Sequence, residues 1–182
     1  VPDTDEDAHG GFSRLVNDII DKNLMIDNCI LDEQIFDHYV YQKEHLLLAV
    51  PKSYSVNTRL REYQIPIETI HDGSFLSPEV LSVPLNSFAD EPFIILRSDN
   101  DTGKRALTIC QENNFTPHTI FRLDQQMTAY NIACSGMGIT FIGDLLLASA
   151  PATSELIFYK LPGKNCNRNV SFYWKKGRYI SR

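Results

Sequence analysis

The chain has 182 residues, with 17 Lys and Arg against 23 Asp and Glu and a formal net charge of -6. That length holds one large domain or two small lobes with real cores. An acidic balance is poorly suited to gripping phosphate backbones, whose affinity comes from clustered Lys and Arg. The one compact basic cluster, Lys175, Lys176, Arg178 and Arg182, reads as a solvated strand end. No apolar run approaches the ~18 to 20 residues needed to span a bilayer. No signal peptide is visible, although a leader could have been removed ahead of Val1.

Residues 1–11 are acidic and end in Gly10-Gly11, a tail or loop. Phe12, Leu15, Val16, Ile19 and Ile20 share one stripe at helical spacing, which predicts a helix. Residues 25–31 (MIDNCIL) read as a buried strand, 36–41 as a second, and 45–50 (HLLLAV) as a third stopped by Pro51. Residues 52–84 carry Pro66, Gly73, Pro78 and Pro84, so loops and short helices are expected there. This is the natural place for the chain to leave one lobe for another. A helical turn is expected at 87–89 and a strand at 93–96.

Ser98-Asp99-Asn100-Asp101-Thr102 is a dense set of helix-capping types. It precedes helix-spaced Ala106, Ile109, Cys110 and Asn113, then Pro117, then a strand over 119–123. Residues 124–144 (DQQMTAYNIACSGMGITFIGD) carry the densest pattern in the chain. Met127, Tyr130 and Cys134 predict one apolar helical face. Gly136 and Gly138 permit a turn, and Ile139, Phe141 and Ile142 continue as a strand. A helical start follows at 145–148, then strands at 156–159 and 169–174. The middle of the chain thus alternates strand and helix, which predicts a largely parallel α/β sheet. The first and last portions offer strands that pair with each other, giving two lobes.

Catalytic and metal patterns are missing. His9, His38, His45, His71 and His118 show no ligand spacing. There is no nucleophile elbow and no phosphate loop. Ser135-Gly136-Met137-Gly138 follows a helix and precedes a strand, the reverse of the dinucleotide order. No cofactor or metal is expected. What remains is binding. Two helix N-termini, after Arg97-Ser98 and after Leu123-Asp124, offer free N–H groups at strand ends on one edge of the second lobe. They suit an anion or a carboxylate-bearing small molecule. Asp101 and Asp124 can instead satisfy those donors themselves, whereas an inward Arg97 would favour the anion. Gln125 and Gln126 supply both donors and acceptors. Equally, these residues can simply cap helices and solvate a surface. Cys29, Cys110 and Cys134 read as small buried hydrophobes, and Cys166, in a polar turn, as the exposed thiol. Free thiols point to a reducing compartment, the cytoplasm.

Several segments together resemble the effector-binding domain of LysR-type transcriptional regulators. Residues 15–31 (LVNDIIDKNLMIDNCIL) resemble the family's helix and the strand after it, with Ile26-Asp27 in place. Residues 45–52 (HLLLAVPK), 84–96 (PLNSFADEPFIIL), 129–142 and 172–181 (FYWKKGRYIS) match in order and spacing, so the likeness covers residue 12 to the end.

The resemblance implies two Rossmann-like subdomains of the type 2 periplasmic-binding-protein kind. Residues 1–55 would give subdomain one, 56–157 subdomain two, and 158–182 the return to subdomain one. It implies a small effector in the cleft between them, a homodimer or homotetramer, and promoter DNA held by an N-terminal helix-turn-helix. Family pockets carry over to Arg97, Ser98, Asn100, Asp101 and Thr102, to Asp124, Gln125 and Gln126, to the turn of Gly136, Met137 and Gly138, and to Gly11 and Phe12.

The helix-turn-helix and the terminal helix are missing here. Subdomain one is incomplete at its N-terminus, as in a piece of a longer protein, and its first strand normally contributes an effector-binding hydroxyl. Residues 53–83 are longer than usual and have no assigned role. The expected function is ligand sensing in a transcriptional regulator, not catalysis. The alternatives are a solute-binding protein of a transporter or a bilobal enzyme acting on a small carboxylate. A redox sensor would need two suitably placed thiols.

Overall fold

The computed structural model describes residues 25–27 and 31–177. The helix expected over 12–20, residues 28–30 of the first strand, and Gly11 and Phe12 lie outside them. The chain groups into two units, residues 44–168 and residues 1–43 with 169–182. β2 (Phe36–Pro51) and β8 (Asn167–Lys175) each run from one unit into the other.

In the larger unit a mixed sheet has the order β3-β7-β2-β6-β4-β5. Its other members are β3 (Gln64–Ile65), β4 (Pro92–Leu96), β5 (His118–Leu123), β6 (Ile139–Gly143) and β7 (Leu156–Lys160). The parallel expectation holds for β4 with β5 and β4 with β6. β2, however, is antiparallel to both β6 and β7, and β3 is antiparallel to β7. β2 arrives as the continuation of a long strand, with no helical crossover to align it with its neighbours.

The two strands expected at 36–41 and 45–50 are this single strand. Gln42, Lys43 and Glu44 stay extended between them, although these three polar residues carry no apolar pattern to mark a strand.

Both faces of the sheet are covered, which explains the near-continuous apolar runs of its inner strands. Leu46, Leu48, Val50, Phe93, Ile95 and Phe141 pack on one face with Ala106, Ile109 and Cys110 of α3 (Asp101–Glu112). Leu47, Ala49, Ile94, Leu96 and Ile142 pack on the other with Ala129, Tyr130 and Ala133 of α4 (Gln126–Cys134). The buried face of α4 is therefore rotated from the expected Met127-Tyr130-Cys134 stripe. Two alanines let the helix backbone approach the sheet, and Met127 and Cys134 flank the contact half-buried.

Residues 53–83 belong to the larger unit and build on both faces. Val56, in α1 (Val56–Arg59), joins the first core; Ile70, in α2 (Ile67–His71), and Phe75 join the second. Asn57 ties this segment down, donating to the Pro51 carbonyl at 2.8 Å and accepting from the Tyr159 hydroxyl at 2.7 Å. The smaller unit pairs β1 (Met25–Asp27) antiparallel with β8, Ile26 opposite Phe172. There Tyr41 packs edge-on against Phe172 with ring centroids 5.2 Å apart.

One glycine decides how close α3 lies to the sheet. A Cβ on Gly103 would overlap the carbonyl oxygens of Leu96 and Arg97 at the end of β4. Backbone atoms there have nowhere to move, so Gly103→Ala is expected to destabilise the domain by about 1–3 kcal/mol. Exposed Lys104→Ala, one residue on, should change stability by less than about 0.5 kcal/mol. Urea midpoints of the two variants check the difference.

Candidate functional site

The C-terminal ends of β4, β5 and β6 meet the N-termini of α3 and α4, the usual ligand end of such sheets. Arg97 N–H donates to the Leu123 carbonyl at 2.8 Å, which joins the ends of β4 and β5. Asn100 caps α3: its Oδ1 accepts from the Thr102 N–H at 2.9 Å. Its amide donates across to the Asp124 carbonyl at 3.3 Å. Gln125 occupies the N-cap position of α4 with no side-chain cap, and no acidic residue lies in that first turn.

Behind these termini lies a connected polar cluster. The Arg168 side chain is 2% exposed; its Nε donates to Glu44, and its Nη1 donates to Asp101 Oδ2 at 2.8 Å and to Thr102 Oγ1 at 2.9 Å. Asp101 also accepts from Arg105 Nε at 2.7 Å. Thr102 Oγ1 accepts a second bond, from Gln126 Nε2 at 2.8 Å, and Gln126 Oε1 accepts from the Gly143 N–H at 3.0 Å. A Cβ on Gly143 would strike the Glu44 carboxylate. Beside it, Asp144, the first residue of α5 (Asp144–Leu147), accepts from the His45 backbone N–H at 2.9 Å and meets His45 Nδ1 at 2.9 Å.

Two carboxylates and two guanidiniums balance in this cluster. Burial pushes the Asp101 carboxyl up, but hydrogen bonds and charge from Arg105 and Arg168 outweigh it and hold the group below its ordinary range. The α3 end thus already holds its own carboxylate. Nothing here activates a nucleophile, and among the described residues no group of three or more His, Cys, Asp and Glu could hold a metal ion.

The structure brings together Asn100, Asp101, Thr102, Asp124 and Gln126. Arg97 pairs with Asp124 at 3.2 Å on the surface, with side chains 60% and 71% exposed, a geometry that contributes little. Arg97, Ser98 and Asp99 border an open depression of about 620 Å³ with Leu107 and Arg122. Gly136, Met137 and Gly138 lie at the other end of β6, where Gly138 lets the turn close on Ile94. Five residue steps of strand, roughly 16 Å, separate that turn from Gly143. Glu44, Arg105, Gly143 and Arg168 were missed in the sequence. The available signal was a charged residue bordering each buried run, Glu44 before Leu46–Val50 and Arg168 at an inward position of an alternating strand.

The sequence profile of the LysR substrate binding domain matches residues 73–182. The chain belongs to this family. It is 26% identical over 100 residues to the uncharacterized HTH-type transcriptional regulator YcgK of Bacillus subtilis (strain 168), covering 54% of this chain and 30% of that protein. The chain therefore matches about a third of its curated relatives' length.

Among solved structures, the CcmR regulatory domain of Synechocystis PCC6803, in complex with 2-PG, superposes with a TM-score of 0.66 at 15% identity, over 93% of this chain and 71% of that one. The effector binding domain of QuiR in complex with shikimate superposes with a TM-score of 0.58 at 16% identity, over 92% and 69%. The fold is that of LysR effector-binding domains, type 2 periplasmic-binding-protein-like.

One expectation about the thiols is overturned. Cys166 is buried, its Sγ 3.0 Å from the Pro162 carbonyl, because the 3-10 turn over Lys164–Cys166 folds it into the first core. Burial, with a further push from Glu112, drives this thiol up to about 12, and burial alone does the same for Cys110. Cys110 and Cys134 serve opposite faces of the sheet, so the arrangement offers no redox pair between them.

A thiol reagent at about pH 8 should label half-buried Cys134 readily and leave Cys110 and Cys166 unmodified until denaturant is added; mass spectrometry of peptides reads this directly.

Because the Asp101 pKa is lowered, its ion pairs stabilise the fold fully above the ordinary 3.8 and fade as pH falls through the lowered value. Asp101→Asn should flatten that acid limb in urea midpoints taken between about pH 6 and about pH 3.

Proposed function

We propose that this chain senses a small effector as the regulatory part of a LysR-type transcriptional regulator. The observation that carries the reading is the convergence of two helix N-termini on the ends of β4, β5 and β6, with Gln125 exposed and uncapped at one of them. Family membership supports it, as do effector-bound structures of the same fold. The effector would lie against Asn100, Thr102, Asp124, Gln125 and Gln126. A carboxylate-bearing molecule suits the α4 end, whose first turn contains no acidic residue.

In the whole protein, we infer promoter DNA bound by an N-terminal helix-turn-helix outside this sequence, assembly as a homodimer or homotetramer, and a cytoplasmic location. Two subdomains complete the proposal. Among the described residues no helix is long and apolar enough to cross a membrane. The naming of relatives as HTH-type regulators supports this reading over a transporter's solute-binding protein. Family membership and the regulator naming of relatives support a non-enzymatic role over a bilobal enzyme.

A thermal-shift screen of small carboxylates, amino acids and aromatic acids, with 2-PG and shikimate included, tests the proposal. A true effector at 100 times its Kd stabilises the folded state by about 2.7 kcal/mol. Gln125→Ala should reduce the shift while leaving the unliganded midpoint unchanged. A screen in which no compound raises the midpoint sinks the sensing reading, and an unchanged shift in Gln125→Ala removes the α4 end from the site.

A further inference from the structure

Arg168 and Glu44 are the last and first residues of the larger unit, and β8 and β2 continue past them. Their ion pair therefore joins the two strands at the points where the chain enters and leaves that unit. Arg168 uses separate nitrogens for separate tasks: Nε holds Glu44, and Nη1 holds Asp101 and Thr102 at the first turn of α3. Thr102 passes the connection to Gln126, and Gln126 passes it to the Gly143 backbone at the end of β6.

An arginine this deeply buried is costly to retain for stability alone, since an apolar pair of similar volume is often as good or better. The planar fork, in contrast, fixes several partners in one geometry, which a point charge cannot do.

We propose that Arg168 is a positioning residue that sets the wall formed by Thr102, Gln126 and Gly143, and so links the effector site to β2 and β8. The regulatory part of this inference rests on the sensing reading above; the positioning part does not. An effector that moves Thr102 or Gln126 would act on Arg168 and Glu44, and a change at the two strands would in turn reshape the site. Reciprocity of this kind follows from linkage.

Hydrogen exchange separates positioning from plain stability. In the double variant Glu44→Leu/Arg168→Met both charges leave together, so no buried ion is stranded. Its global stability should stay near wild type. Exchange at the Gly143 amide and at the first-turn amides of α3 should nevertheless rise on the order of tenfold, about what losing one hydrogen bond of ordinary net strength produces. Amides of Ile94 and Ile95 in the middle of β4 should not change. Arg168→Lys, which keeps the charge and loses the fork, should show the same local pattern.

Exchange that rises equally at Gly143 and in β4, or at neither, overturns the proposal, as does full restoration of Gly143 protection by lysine. If the local pattern appears and no compound in the thermal-shift screen binds wild type, the positioning role stands and the sensing reading fails.

Discussion

A guanidinium taken out of water needs compensating charge and a filled set of acceptors. Arg168 meets both demands with three residues from two other places in the chain: Glu44 on β2, and Asp101 and Thr102 at the start of α3. Much of the site follows from that requirement. The first turn of α3 is held by its own carboxylate, Gln126 is engaged at both ends of its amide, and a Cβ at position 143 would push the Glu44 carboxylate out of its place. The end of the sheet where ligands would bind is therefore largely preorganised. Its exposed and uncommitted element is the start of α4.

The sheet supplies the frame for this cluster. Its inner strands are buried on both faces, so alternate residues of β2 and β4 feed two separate cores. Two devices bring helices close enough to cover those faces. Gly103 permits α3 to lie against the carbonyls ending β4, and Ala129 and Ala133 do the same for α4 on the opposite face. Close approach of both helices is what carries Thr102 and Gln126 to hydrogen-bonding distance across the end of the sheet. Packing and site geometry are thus one problem with one solution.

Much of the local structure was readable from residue order. Asn100 within a run of capping types, followed by Ala106, Ile109 and Cys110, announced α3. The glycine turn at 136–138 correctly separated a helix from a strand, yet it lies at the far end of β6 from Gln126, because a helix between parallel strands returns the chain to the opposite edge. The strand β2 was read as two, since Gln42, Lys43 and Glu44 interrupt its apolar pattern. Cys166 was read as exposed from its polar neighbours, whereas a single 3-10 turn is enough to point it inward.

The sequence by itself determined the alternation of strand and helix, the cap of α3, the absence of metal and nucleophile motifs, and the family likeness. All of these are patterns among near neighbours or in segment order. Only the tertiary structure decided that Glu44, Asp101, Thr102, Gln126, Gly143 and Arg168 form one hydrogen-bonded cluster. Glu44 and Arg168 stand 124 positions apart. The physical reason is that charge compensation in a buried place has no period and no preferred spacing along the chain. It is settled by which strand ends the folded sheet sets side by side, and no local pattern of residues encodes that.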